Sequence, residues 1–204
     1  MKRDINFTLK NKEITRQRYE SLYLPHIAPL TRWVQSYKKN GTDMPWFDPA
    51  DGGINARILI LLQSPAKSEL SPRFVSQDNP GPSQQNLNRF LKQAKIKRQN
   101  IIIWNTIPWL MPTNTKIIPT RENINKGLNI IKSLMPLLKN VRVILLAGSV
   151  ASKTRIFFEK EYPHIVLLNM PHPSPLSLCR SPDISTKIKD TLQQAYLLLS
   201  LIHI

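Results

Sequence analysis

The sequence predicts an α/β protein, a three-layer α/β/α sandwich around a four-stranded parallel sheet. Three observations carry that expectation. Four short apolar runs recur along the chain, each run is closed by polar or turn-forming residues, and apolar residues at helical spacing follow them. Alternating strands and helices need crossover connections, which give a parallel sheet covered on both faces. No internal repeat or low-complexity segment breaks the alternation.

Taken in order, residues 11–40 are polar and helix-prone, with Ile14, Tyr19, Leu22, Tyr23, Trp33, Val34 and Tyr37 as anchors. Pro25 and Pro29 divide this stretch into two helices, because proline removes a backbone donor. Residues 44–53, Met-Pro-Trp-Phe-Asp-Pro-Ala-Asp-Gly-Gly, read as a loop. Residues 1–53 are thus expected to be an N-terminal helical segment packing on the core, and residues 54–204 one compact α/β domain.

The first apolar run, 56–62, ends in Gln63-Ser64-Pro65 and has the length of a strand buried on both faces. An irregular segment, 63–82, follows. Leu87, Phe90, Leu91 and Ala94 then mark one helical face. Ile101-Ile-Ile-Trp104 is the second run, closed by Asn105-Thr106. A loop with Pro108, Pro112 and Pro119 leads to a helix through Ile124, Leu128, Ile131, Leu134 and Leu138. Residues 141–146 are the third run, closed by Ala-Gly-Ser and followed by a helix. Residues 165–168 are the fourth. Met-Pro-His-Pro-Ser-Pro-Leu-Ser-Leu (170–178) comes next, with prolines too frequent for a helix or an interior strand. Ile184, Ile188, Leu192, Ala195 and Leu199 make the final amphipathic helix.

The 204 residues suffice for one well-buried domain. Twenty-nine Lys and Arg against 13 Asp and Glu give a net charge of +16, spread along the chain without a basic tail. A folded domain that is basic throughout points to a polyanion, with nucleic acid first; a merely soluble basic protein or an anionic lipid surface are the other readings. The single cysteine, Cys179, excludes an internal disulfide and any multi-cysteine metal site. The N-terminus lacks the apolar core of a secretory signal, and the apolar run Ala195–Ile204 is far shorter than the ~20 residues of a membrane span. A cytoplasmic protein, monomeric and without membrane contact, is expected.

In a parallel sheet the ligand site lies beyond the carboxyl ends of the strands. Here those ends carry Gln63-Ser64-Pro65, Asn105-Thr106, Gly148-Ser149 and Pro171-His172-Pro173-Ser174, which should converge on one edge. The Asn105 amide offers donors and an acceptor that match one edge of a pyrimidine; closing a turn is its alternative use. His172, locked between two prolines, can stabilise developing negative charge. Ser64, Ser149, Ser174 and Ser177 can donate to phosphates. Leu176, exposed on a tight loop, suits insertion into a base stack. No G-x-G-x-x-G, Walker A or G-x-S-x-G pattern is present, and the four histidines show no ligand spacing, so neither a cofactor nor a metal is expected.

These residues resemble the uracil-DNA glycosylase superfamily. His172-Pro173-Ser174-Pro175-Leu176-Ser177 matches that superfamily's second motif letter for letter. Leu61-Leu-Gln-Ser-Pro65 looks like its first motif, and Trp104-Asn105-Thr-Ile-Pro108 is similar to its strand-end asparagine motif. The resemblance covers about residues 55 to 200. It implies a uracil-DNA glycosylase-like fold and a DNA partner, duplex or single-stranded. It also implies a monofunctional glycosylase that flips out a pyrimidine and hydrolyses its glycosidic bond without a cofactor. By the same carry-over Phe74 stacks on the base, and Asn105, Ser64 and Ala66 bind it. His172 stabilises the departing base, Leu176 fills the vacated stack, and Pro65, Ser149, Ser174 and Ser177 face DNA.

Two departures matter. The first-motif carboxylate of the relatives is replaced by Gln63 or Ser64, depending on the branch. Gln63, through its carbonyl, or Asp78 could position water instead; a turn cap is the other reading of Asp78. Ala66 stands where the best-known branch has a tyrosine that blocks C5, which implies a pocket for uracil or for a C5-modified cytosine such as the glucosylated hydroxymethylcytosine of phage DNA. DNA repair and phage defence are the matching roles. The rival readings are a catalytically degenerate, glycosylase-fold DNA-binding protein and a small-molecule transferase on a similar sheet.

Overall fold

The computed structural model describes residues 8–66, 71–111 and 117–201. The N-terminal hexapeptide, Pro112 and the last three residues of the C-terminal apolar run lie outside them.

The two N-terminal helices are α1 (Lys12–Glu20) and α2 (Ala28–Lys39). Asn11 caps the first, its side-chain oxygen accepting the Glu13 N–H at 2.9 Å. Pro29 sits in the first turn of the second, where no donor is lost. The stretch expected to be a loop contains a short strand, β1 (Trp46–Phe47). It pairs in parallel with β3 (Phe74–Val75), inside the segment expected to be irregular. Two-residue strands leave no periodicity to read; long-range pairing creates them.

The main sheet holds β2 (Ile58–Leu62), β4 (Ile101–Asn105), β5 (Val143–Ala147) and β6 (Val166–Met170), all parallel, in the order β4-β2-β5-β6. The first three of these are wholly buried, as their continuous apolar runs require. The last begins and ends later than its apolar run and is an edge strand, with Val166 39% exposed.

Helix α3 (Pro82–Gln93) carries β2 to β4, and α4 (Arg121–Leu134) carries β4 back across to β5. These crossovers run in opposite directions, so right-handedness puts the two helices on opposite faces. The long C-terminal helix α8 (Pro182–Leu201) packs beside α3, while Trp33 and Tyr37 of α2 reach Ser133 of α4 at 3.1 and 2.8 Å. The helix expected after the third run is two pieces, α5 (Ser149–Ser152) and α6 (Arg155–Glu161), leading to β6.

Leu22, Ile27, Leu30, Val34, Met44 and Phe47 belong to the same apolar core as the sheet. Phe47 stacks on Trp104 of β4, ring centroids 4.1 Å apart. A buried ionic cluster adds a second tie. The Arg98 guanidinium meets Asp48 and Asp51, each at 2.7 Å, and also Asp78. Arg18 of α1 approaches Asp48 at 3.1 Å and Asp78 at 3.2 Å. The three aspartates are 1–5% exposed, and these pairings offset part of the cost of burying them.

Candidate active site

The parallel registers align Leu62 with Asn105, and Ala147 with Met170, so the polar strand ends share one edge of the sheet. The first two are bound together beyond the strands. Thr106 donates its N–H and its hydroxyl to the Leu62 carbonyl at 2.7 and 2.9 Å, and the Ile107 N–H reaches the Gln63 carbonyl at 2.9 Å. Helix α4 presses on this junction through Gly127, where a Cβ would stand 1.8 Å from the Thr106 carbonyl oxygen.

Between this junction and β3 lies a cavity of about 120 Å³, with Ser64, Pro65, Ala66, Arg73, Phe74 and Asn105 in its wall. That is below the ~300–1,000 Å³ of a cofactor-sized site; the scale is one heterocyclic ring. Asn105 is 2% exposed, and its side chain has no hydrogen bond among the described residues. Its amide borders the cavity, where it can meet a polar ligand. Phe74 is buried at the same wall, its backbone carbonyl accepting from Asn79 Nδ2 at 2.9 Å.

His172 follows β6 and is outside the wall of that cavity. Two contacts hold its loop. Gly148, at φ +90°, lies beneath it, so close that a Cβ there would sit 3.0 Å from His172 Cβ. Asn86 Nδ2 of α3 donates to the Pro173 carbonyl at 3.0 Å. The same helix lends Gln84 and Leu87 to the cavity wall, so one rigid element borders both places. Burial pulls the pKa of His172 below its ordinary 6.5, which keeps the imidazole neutral at neutral pH.

The proline-rich loop differs from expectation at its end, where Pro175–Leu178 forms a one-turn helix, α7. Ser174 is its N-cap, its Oγ accepting the Ser177 N–H at 3.3 Å, and Pro175 occupies the first turn, where proline is tolerated. The turn presents Leu176 with 73% of its surface exposed. Ser149 is exposed at the start of α5. Gln63 is half-buried, and its side chain is not part of the cavity wall.

Asp78 must be removed from the water-positioning candidates. Its carboxylate faces the Arg18 and Arg98 guanidinium groups, away from the Asn105 cavity, and its N–H is held by Ser76 Oγ at 2.8 Å. The local cap in this turn is Ser76, whose Oγ accepts the Asp78 N–H, while the Asp78 carboxylate serves the buried ion pairs.

Gly127, Asn86 and Arg73 were not legible as site residues. Gly148 had a signal, a single glycine between strand and helix, but the contact that explains it lies 24 residues on. Replacing Gly148 with alanine forces a side chain into a left-handed backbone and against His172. The expected cost is about 1–3 kcal/mol of stability, with base release at least tenfold slower. Chemical denaturation and single-turnover assays check the two parts.

The family model for the Uracil DNA glycosylase superfamily matches residues 49–196. No curated protein matches the chain. Among solved structures, mimivirus uracil-DNA glycosylase is similar at 16% identity, over 85% of this chain and 74% of that one, with a TM-score of 0.42. A tyrosine-to-phenylalanine variant of mimivirus UNG in complex with UGI is similar at 16% identity, over 86% and 72% of the two chains, with the same score.

Proposed function

The chain belongs to the uracil DNA glycosylase superfamily, and from that premise we propose that it is a monofunctional DNA glycosylase acting on a flipped pyrimidine nucleotide. The observation that carries this reading is the Asn105 amide, with no side-chain hydrogen bond among the described residues, beside Phe74 in the wall of a ring-sized cavity at the carboxyl end of the sheet. The basic surface holds the phosphates of DNA, and extrusion brings the base to a cavity that a stacked base cannot reach. Phe74 covers one face of the ring and Asn105 reads its edge. Leu176, exposed at the head of α7, fills the vacated stack. Ser149, Ser174, Ser177 and Pro65 lie along the DNA-facing edge.

As the glycosidic bond lengthens, its electron pair stays with the base and the sugar becomes oxocarbenium-like. The neutral His172 imidazole donates an N–H to the developing charge. Water adds at C1′ and loses a proton, leaving an abasic site and the free base. Gln63 is the candidate to orient that water through its carbonyl. An oxocarbenium ion is electrophilic enough that loss of the relatives' carboxylate slows this step without blocking it.

The proposed base is uracil or a pyrimidine larger at C5. Ala66 is small, and the cavity abuts a second hollow of about 360 Å³ that shares Pro72 and Arg73 with it. Duplexes holding uracil, 5-hydroxymethylcytosine or its glucoside separate the cases. Release of the modified cytosines supports the larger pocket, and release of uracil alone rejects it. The second reading, a DNA-binding protein that has lost catalysis, draws on the missing carboxylate at Gln63-Ser64.

The protonation state of His172 gives a pH test. Its folded pKa is lowered, so both folded and unfolded forms are neutral above 6.5. As pH falls below 6.5 the unfolded chain takes up a proton first, and stability from this group is lost through the folded pKa. Base release is therefore expected to stay level from mildly alkaline pH down to 6.5 and to fall only below it. A pH–rate profile that falls as pH rises through 6.5 would mean that the imidazolium is the active form.

A further inference from the structure

An arginine in the wall of the base cavity remains without a role in the mechanism above. Arg73 precedes Phe74, lines both the Asn105 cavity and the neighbouring hollow, and donates from Nη2 to the carbonyl of Ala66. Among the described residues no carboxylate lies within ion-pair distance of it; Asp43 acts only as a more distant field. Burial accordingly lowers its pKa. The contrast with Arg98 is direct, since that guanidinium is matched to three aspartates. Among the described residues this half-buried cation has one carbonyl as its hydrogen-bond partner and a counter-charge only at a distance, an arrangement that an anion in the cavity would complete.

The cavity wall offers few sources of negative charge. No Asp or Glu belongs to its described part, and the backbone phosphates of DNA would track the outer edge. The ring itself becomes anionic when its glycosidic bond breaks, with the charge shared between the ring nitrogen and the exocyclic oxygens. We infer that Arg73 is a catalytic residue that stabilises the pyrimidine anion as it departs, from the base side of the cavity. This inference rests on the glycosylase reading. In the step concerned the C1′–N1 pair passes to the base, Arg73 takes no proton, and water supplies the oxygen for C1′ and releases a proton to solvent. A fixed cation acts there without reorganising as charge develops. It also compensates for the missing first-motif carboxylate, by lowering the barrier to bond breaking instead of assisting water.

The test uses full-length protein and two measurements. In single-turnover release from duplex DNA, Arg73→Gln is expected to slow uracil loss by about 10²-fold and 5-fluorouracil loss by much less, because the fluorinated ring carries negative charge more readily. Arg73→Lys should recover part of the rate. Equal slowing of both bases would overturn the inference and leave Arg73 a structural residue. The second measurement needs no catalysis. At neutral pH free 5-nitrouracil is an anion and thymine is neutral; wild-type protein is expected to bind the anion at least tenfold more tightly, and Arg73→Gln to lose that preference. A wild type without the preference overturns the inference. Anion preference without base loss from any duplex keeps Arg73 as an anion-binding group and removes the glycosylase reading instead.

Discussion

Replacing Asn105 with alanine is expected to lower kcat/KM for base release by about 10²–10³-fold while leaving the fold intact. The reasoning starts from its hydrogen bonding. The backbone of the Asn105-Thr106 junction is held by Thr106 on the Leu62 carbonyl, but the side chain has no partner among the described residues. Removing it therefore costs no side-chain hydrogen bond among the described residues, so thermal stability should hold. What is lost is a pair of bonds to the ring that strengthen as charge develops, and one such donor is worth about 2.7–4 kcal/mol in a preorganised site. Asn105→Asp sharpens the test, since an acceptor replaces the donor and adds repulsion toward a departing anion. It should be at least as slow as the alanine variant. If Asn105 only closed a turn, the variants would lose stability and keep their rate.

Replacing Arg98 with methionine should have the largest effect on stability, about 3–5 kcal/mol, because it leaves buried carboxylates uncompensated. Asp48, Asp51 and Asp78 all depend on that one guanidinium, with Arg18 serving only two of them. Burial already pushes the pKa of Asp51 well above its ordinary 3.8. A folded pKa above the unfolded one means that this group's contribution is fully present below 3.8 and is lost as pH rises through the folded value. Without Arg98 the Asp51 carboxylate becomes harder still to ionise. The deficit of the variant should thus be greatest at neutral pH and shrink on acidification, and Asp51→Asn in the same background should recover part of it. Denaturant titrations at two pH values measure this. A deficit independent of pH would mean that Arg98 acts through packing alone.

Both predictions concern residues that differ in how far the sequence discloses them. Asn105 was legible because a strand run and its punctuation fix where the strand ends, and parallel strands bring their ends together. The same logic located Gln63-Ser64-Pro65, Gly148-Ser149 and His172. Leu176 could be read as exposed from the prolines around it, although they also hid a helical turn that Ser174 caps. Arg98 could not be read at all. Its partners lie 50, 47 and 20 residues away, in segments with no period, and a charged residue in such a segment looks solvated until the fold closes over it. Arg73 was hidden likewise, since β3 is made by pairing with β1 and not by its own pattern. Asp78 shows the converse. It was a candidate as a carboxylate that could replace the missing one of the first motif, whereas its side chain pairs with Arg18 and Arg98.

The central claim is that this cavity breaks a glycosidic bond. Its most direct test is incubation of the purified protein with duplexes containing uracil, 5-hydroxymethylcytosine or its glucoside, followed by mass-spectrometric detection of free base and abasic strand. The expected result is stoichiometric appearance of both products from at least one duplex, lost in His172→Ala and Asn105→Ala. Saturable, salt-sensitive binding with every strand intact would contradict it and leave a DNA-binding protein that keeps the glycosylase fold.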